Sequence, residues 1–221
     1  MKKFTALLCT PLLVLFFLCA CGTDKTGDGT EKISETQNIF IGGGCEISEV
    51  FLYSGAFVEN GSDEYIENVL ALKIKNCSEK ALNLLDFSIS TNCGEFSFSA
   101  VTLFAGAELC VLEKNAAVLS QIPEITGVSL INAAPFENTP SLNSEKLEIT
   151  LLTGAVNVRN ISGEQLNNIY VYYKNILNGE LFGGICYRLS VGSLAPGELR
   201  QLSVSRSGTD KIKAVFTSFE Q

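Results

Sequence analysis

Residues 71–90 read ALKIKNCSEKALNLLDFSIS and residues 155–174 read AVNVRNISGEQLNNIYVYYK, and the two stretches lie against each other without a gap. Leu72 falls on Val156, Ile74 on Val158, Leu82 on Leu166, Leu85 on Ile169 and Phe87 on Val171. Asn76 and Ser78 fall on Asn160 and Ser162. Successive side chains of a strand point to opposite faces, so apolar residues at every second place read as strands with one face buried. After a few extra residues, Phe104-Ala-Gly-Ala-Glu-Leu109 meets Leu194-Ala-Pro-Gly-Glu-Leu199. Few identities are shared, but order, spacing and turn chemistry agree, which makes this an internal repeat. Two copies form a tandem pair; a solenoid needs three or more.

Working outward, the same alternation predicts strands at Phe96 to Ala100, Tyr187 to Val191 and Leu202 to Val204. Further strands are expected at Val50 to Phe57, Val128 to Asn132, Leu147 to Leu152 and Ile212 to Phe219. Between them lie NCSEK, TNCGE, FAGAE, NISGE, NILNGE and LAPGE, mixtures of Asn, Gly, Ser and Pro that favour turns. No segment has the spacing of an amphipathic helix. Many short strands with regular turn signals predict an all-β chain built from sandwiches, one over 46–133 and one over 134–221.

This succession of strand, Asn-x-Ser turn, strand, Gly-containing hairpin, strand and Leu-x-Pro-Gly-Glu turn resembles the immunoglobulin-like repeats of bacterial secreted and lipid-anchored proteins. FxLYD-type and CARDB-type modules are the nearest, over Glu46 to Asn115 and Leu147 to Gln221. There is no tryptophan, so the Cys–Trp–Cys signature of antibody domains is absent. The resemblance implies two tandem immunoglobulin-like β-sandwich domains with binding, spacing or assembly roles, and it names no ligand.

The N-terminal residues read as an export signal. Lys2 and Lys3 precede an apolar run from Leu7 to Ala20, broken only by Thr10 and Pro11. A bilayer-spanning helix needs about 20 apolar residues, so this run fits the core of a signal peptide better. Leu18-Cys19-Ala20-Cys21 resembles the lipobox of bacterial lipoproteins. That resemblance implies cleavage before Cys21 and diacylglycerol on its sulfur, a membrane-anchored localisation facing the extracellular side, or the periplasm where there are two membranes. The alternative is an ordinary signal peptide cleaved after Ala20 without lipid. Residues 1–20 are therefore expected to be the leader and 21–45 the lipidated cysteine and a tether. Gly22 to Gln37 is polar and rich in Gly, Thr and charge, and Gly42-Gly43-Gly44 is expected to end the loose region.

Composition narrows the function classes. The net charge is −8, and removal of two leader lysines takes it to −10. An acidic surface repels phosphate backbones, so no nucleic-acid partner is expected. There is no histidine, which removes His-based triads and imidazole metal sites. No enzymatic activity, cofactor or metal is expected. Of eight cysteines, five lie beyond Cys21: Cys45, Cys77, Cys93, Cys110 and Cys186. None stand as CxxC, and a disulfide from Cys77 or Cys93 to Cys110 is an open option.

The repeat also supplies a control for surface features. If Leu85, Phe87 and Ile89 face the core, Asp86, Ser88 and Ser90 face solvent. The same register in the second copy buries Ile169, Val171 and Tyr173 and exposes Tyr170, Tyr172 and Lys174. With Arg159 and Asn157 outward on a neighbouring strand, Tyr170, Tyr172 and Arg159 form a candidate binding patch, since Tyr and Arg are enriched at interfaces. The alternative is that the tyrosines merely pack across strands. The acids Glu59, Asp63, Glu64 and Glu67 surround Asn60-Gly61-Ser62 without EF-hand spacing, and are expected to form a solvated loop rather than a Ca²⁺ site. Asp86 and Glu95 could approach across a hairpin, with nothing around them to form an acid–base pair. The leading expectation is a non-enzymatic, membrane-anchored module for a protein or cell-envelope partner; the alternative is a small-ligand or glycan-binding lipoprotein.

Overall fold

The computed structural model describes residues 38–204 and 211–220; the expected leader, Cys21 and the tether to Gln37 lie outside the described residues. Alternating sequence becomes antiparallel sheet throughout. In the first sandwich, β1 (Ile39–Gly42), β2 (Cys45–Ala56), β3 (Tyr65–Asn76) and β6 (Glu108–Leu112) form one sheet in the order β1-β2-β3-β6. The facing sheet is β5-β4-β7, from β4 (Leu82–Thr91), β5 (Gly94–Leu103) and β7 (Ile125–Pro135). Leu85, Phe87 and Ile89 point between the sheets and are fully buried against Leu72, Ile74 and Phe98. Stacked Phe87 and Phe98 rings, 5.4 Å apart, occupy the middle.

The second sandwich repeats the plan. Here β8 (Leu147–Leu152), β9 (Ala155–Asn160) and β13 (Leu199–Ser203) form the sheet β13-β9-β8. Opposite it, β10 (Leu166–Leu177) carries β12 (Tyr187–Leu194) on one edge and β14 (Lys211–Glu220) on the other. Its core is Leu147, Val156, Val158, Leu166, Ile169, Val171, Val191 and Leu194. By pairing, β2, β3, β4, β5, β6 and β7 correspond to β8, β9, β10, β12, β13 and β14. The described residues are thus all-β, two immunoglobulin-like sandwiches in tandem.

The Asn-x-Ser turn explains why both copies keep that residue pair. Asn76 and Asn160 are fully buried. The Asn76 amide donates to the carbonyls of Lys80 (2.8 Å) and Leu103 (3.2 Å), while its oxygen accepts from the Ser78 amide and hydroxyl. Asn160 does the same with Glu164 (2.7 Å), Leu194 (3.0 Å) and Ser162. One side chain joins the β3–β4 corner to the end of β5, and its twin joins β9–β10 to β12. Its hydrogen-bonding capacity is satisfied, as a buried amide requires.

Three strands go beyond the sequence reading: β1, β6 and the short β11 described below. The first corrects the reading of the triglycine. Gly42-Gly43-Gly44 closes the β1–β2 hairpin and does not end a loose region, because Gly43 and Gly44 adopt φ of 61° and 80°, the left-handed pair that a two-residue hairpin needs.

Candidate functional site

The two sandwiches part company between their third and fourth common strands. In the first, β4 reaches β5 through Asn92 and Cys93 alone, with Thr91 opposite Gly94. In the second, β10 runs on to Leu177, turns at Asn178-Gly179 and returns as β11 (Glu180–Leu181) before β12 begins at Tyr187. Asn178 and Gly179 have φ of 50° and 81°, the Asn-Gly conformation of a tight hairpin. The resulting arm runs along the free edge of β6 and lays its apolar side chains over the outer face of β2-β3-β6. Gly183 N–H donates to Cys110 O and Val101 N–H donates to Gly183 O, both at 2.8 Å. Phe182 meets Tyr53 edge-on, 5.3 Å between ring centres. Tyr187 Oη donates to Val58 O at 2.7 Å.

The arm buries a second apolar face of the first sandwich. Phe51, Tyr53, Phe57, Val58, Ala71, Cys110 and Leu112 close over Leu177 and Phe182. The signal was in the sequence: Val69-Leu70-Ala71-Leu72 and Leu109-Cys110-Val111-Leu112 are unbroken apolar runs, all buried. A strand wetted on one side alternates, whereas a strand covered on both sides does not. At the rim, Lys73 Nζ bridges Glu180 of the arm (2.8 Å) and Glu49 (3.0 Å).

Under the arm lies a polar cluster that the outward-facing register did not predict. Glu59, in the 3₁₀ turn Val58–Asn60, was expected in a solvated loop; instead both carboxyl oxygens are buried and neither completes a hydrogen bond. The backbone amides of Gly184, Gly183 and Leu112 lie beside them and favour the charge. A methyl group at Gly184 would overlap Glu59 Oε2, so a glycine is needed for this approach. Lys174 was expected at the surface and is fully buried. Its Nζ donates to the carbonyls of Gly183 (3.2 Å) and Ile185 (3.3 Å). It sits on the outward side of β10, but the first sandwich and the arm replace water there. Burial pushes the Glu59 carboxyl up to about 8, opposed by Lys174. Burial also pushes Lys174 down to about 8, opposed by Cys186 and Glu59. Cys186 is raised by burial too, with Lys174 and Thr102 opposing, and its Sγ lies 3.7 Å from Tyr173 O. Buried here, the Glu59 carboxyl can hold a proton that it would release in water, while Lys174 holds its own less tightly than in water.

The predicted patch is divided. Tyr170 and Tyr172 are half-buried on the outer face of β12-β10-β14. Arg188 lies 4.6 Å over the Tyr170 ring, Tyr172 stacks on Phe216 at 4.0 Å, and Phe216 meets Phe136 edge-on at 5.8 Å. Arg159 is exposed on β9, in the opposite sheet, between Leu199 and Glu148. The tyrosines and Arg159 therefore face opposite ways, across a sandwich whose sheets pack about 10 Å apart. The aromatic face takes its arginine from Arg188. Its signal was Tyr187-Arg188-Leu189, alternating in register with Tyr172.

Asp86 and Glu95 are not brought together: Asp86 bonds Ser99 and Lys114, and Glu95 bonds Ser88. Glu95 covers Ser88, which is buried although it points outward. The five described cysteines are all free, Cys110 buried and Cys77 and Cys93 exposed. Among the described residues no group of three or more Cys, Asp and Glu is arranged to hold a metal ion. No protein-family model and no curated protein matches the chain.

Proposed function

We propose that this chain is a non-enzymatic binding or assembly module, anchored to a membrane through lipid on Cys21 and presenting its second sandwich to a protein or cell-envelope partner. The observation that carries the reading is the outer face of β12-β10-β14, where Tyr170, Tyr172, Phe216 and Arg188 lie together. Tyrosine and arginine are enriched among the residues that dominate the energetics of protein interfaces, and aromatic rings bury large area at low entropic cost. The arm supports the reading from a second side. It fixes the sandwich that carries this face to the sandwich nearest the anchor, so the face is offered in one orientation.

The test uses the fragment from Gly22 to Gln221, with and without Tyr170→Ser and Tyr172→Ser, to capture partners from native envelopes. A discrete partner held by the wild type and lost from the double variant, at unchanged melting temperature, is expected. Equal capture by both sinks the aromatic face as the site. In the full chain, Cys21→Ser should abolish incorporation of labelled palmitate and release the protein from the membrane fraction.

A further inference from the structure

We propose that docking of the 176–187 arm onto the first sandwich is linked to proton binding at Glu59, so that the two sandwiches are clamped in acid and loosened toward mildly alkaline conditions. The geometry is that of a lid over an acid. Glu59 belongs to the first sandwich, yet what faces its carboxyl comes largely from the second: the backbone of Gly183 and Gly184 and the ammonium of Lys174. Neither carboxyl oxygen has a completed hydrogen bond in the docked state. Lifting the arm returns the carboxyl to water, where the charged form is well solvated. The docked and undocked forms must then differ in affinity for a proton, and any such difference makes the equilibrium between them depend on pH.

The neighbouring groups decide the sign. Facing Glu59 are Lys174 from β10 and Cys110 from β6, and Cys186, from the segment before β12, lies beside Lys174. One row further out, Lys73 of β3, Glu49 of β2 and Glu180 of β11 are paired with one another. Burial lifts both thiols, which stay protonated below neutrality docked or undocked. Lys174 is lowered only to about 8, so in weak acid it carries its proton in both forms. That leaves Glu59. Undocked, it releases its proton near 4.5; docked, it holds it up to about 8. Between those limits the docked form binds more protons, and acid favours docking.

Hydrogen exchange on the full chain in mild detergent tests this at the amides of Gly183 and Val101, whose bonds cross the junction. After correction for intrinsic rates, and relative to core amides of β4, their protection should fall at least about tenfold between about pH 5 and about pH 7.5. Glu59→Gln, uncharged throughout, should flatten the profile. Lys174→Met, which leaves the carboxyl without its cation, should keep or steepen it. A flat wild-type profile overturns the proposal. So does a slope that survives Glu59→Gln, or one that Lys174→Met alone removes.

Discussion

The β4–β5 link and the β10–β12 link begin at equivalent places in the repeat and end in opposite circumstances. Two residues close the first, and it stops at the surface with Cys93 exposed. The second spends Ile176 to Tyr187 on an arm whose Phe182 and Leu177 are buried in the other sandwich. Apart from β1 and the longer β2–β3 link that carries Glu59, the copies otherwise share their strand plan and the buried Asn-x-Ser corner. The difference teaches that a tandem pair becomes one body through a local change in one hairpin, provided the receiving sheet is apolar on its outer side. Both halves of that condition are met, since Phe51, Ala71, Cys110 and Leu112 face outward from strands whose other side already fills a core.

The largest expected effect breaks this comparison by making the second link behave like the first. Phe182→Ala removes a ring that is 2% exposed and leaves a cavity against Tyr53, which should cost about 3–5 kcal/mol. The loss falls on the junction and spares both cores. Chemical denaturation followed by fluorescence should change from one transition to two, with the second sandwich keeping its own midpoint. A single transition that merely shifts would place Phe182 in the folding core of one sandwich and remove the clamp.

Next in size is a change that should strike both copies alike. Asn76→Ala and Asn160→Ala each strip a buried corner of the partners that its carbonyls and its Ser amide now use. Either should cost about 2–3 kcal/mol, since stranded buried polar groups are expensive. The two costs should agree within about 1 kcal/mol, measured as shifts in denaturation midpoint. A large inequality would mean that the corners are alike in geometry but not in energetic role.

The corner was legible in the sequence because it is local: Asn, Ser and the following turn stand within five residues, in both copies. The cores were legible for the same reason, as alternation at Leu85, Phe87 and Ile89 needs only one strand to be read. The junction was not. Lys174 has the register of an exposed residue, and only the arm, arriving from later in the chain, makes it buried. Glu59 reads as one acid among four, and nothing near it in sequence announces a lysine 115 positions later. Arg159 and Tyr170 were grouped because their strands are neighbours in sequence, whereas a sandwich sends successive strands to different sheets. What did announce the junction was the failure of alternation at Val69–Leu72 and Leu109–Leu112, a signal that names the covered face without naming its cover.

The smallest effect sharpens the comparison at the rim of the arm. Lys73 stands between Glu180 and Glu49, and these carboxylates raise its proton affinity against the opposing effect of burial. Glu180 is about one-third exposed, with a side-chain exposure of 35%. Water therefore screens much of the attraction, and pairs of this kind contribute at most about 1 kcal/mol. Glu180→Gln leaves Lys73 its second partner, Glu49, so no buried charge is stranded and the expected loss is about 0.5 kcal/mol. High salt should erase it, because exposed pairs are screened within about 10 Å at moderate ionic strength. The clamp would then stand on Phe182, Leu177 and the backbone bonds of Gly183, with the ion pairs only tuning it. A loss several times larger, persisting in salt, would move the burden from the apolar face to the charged rim.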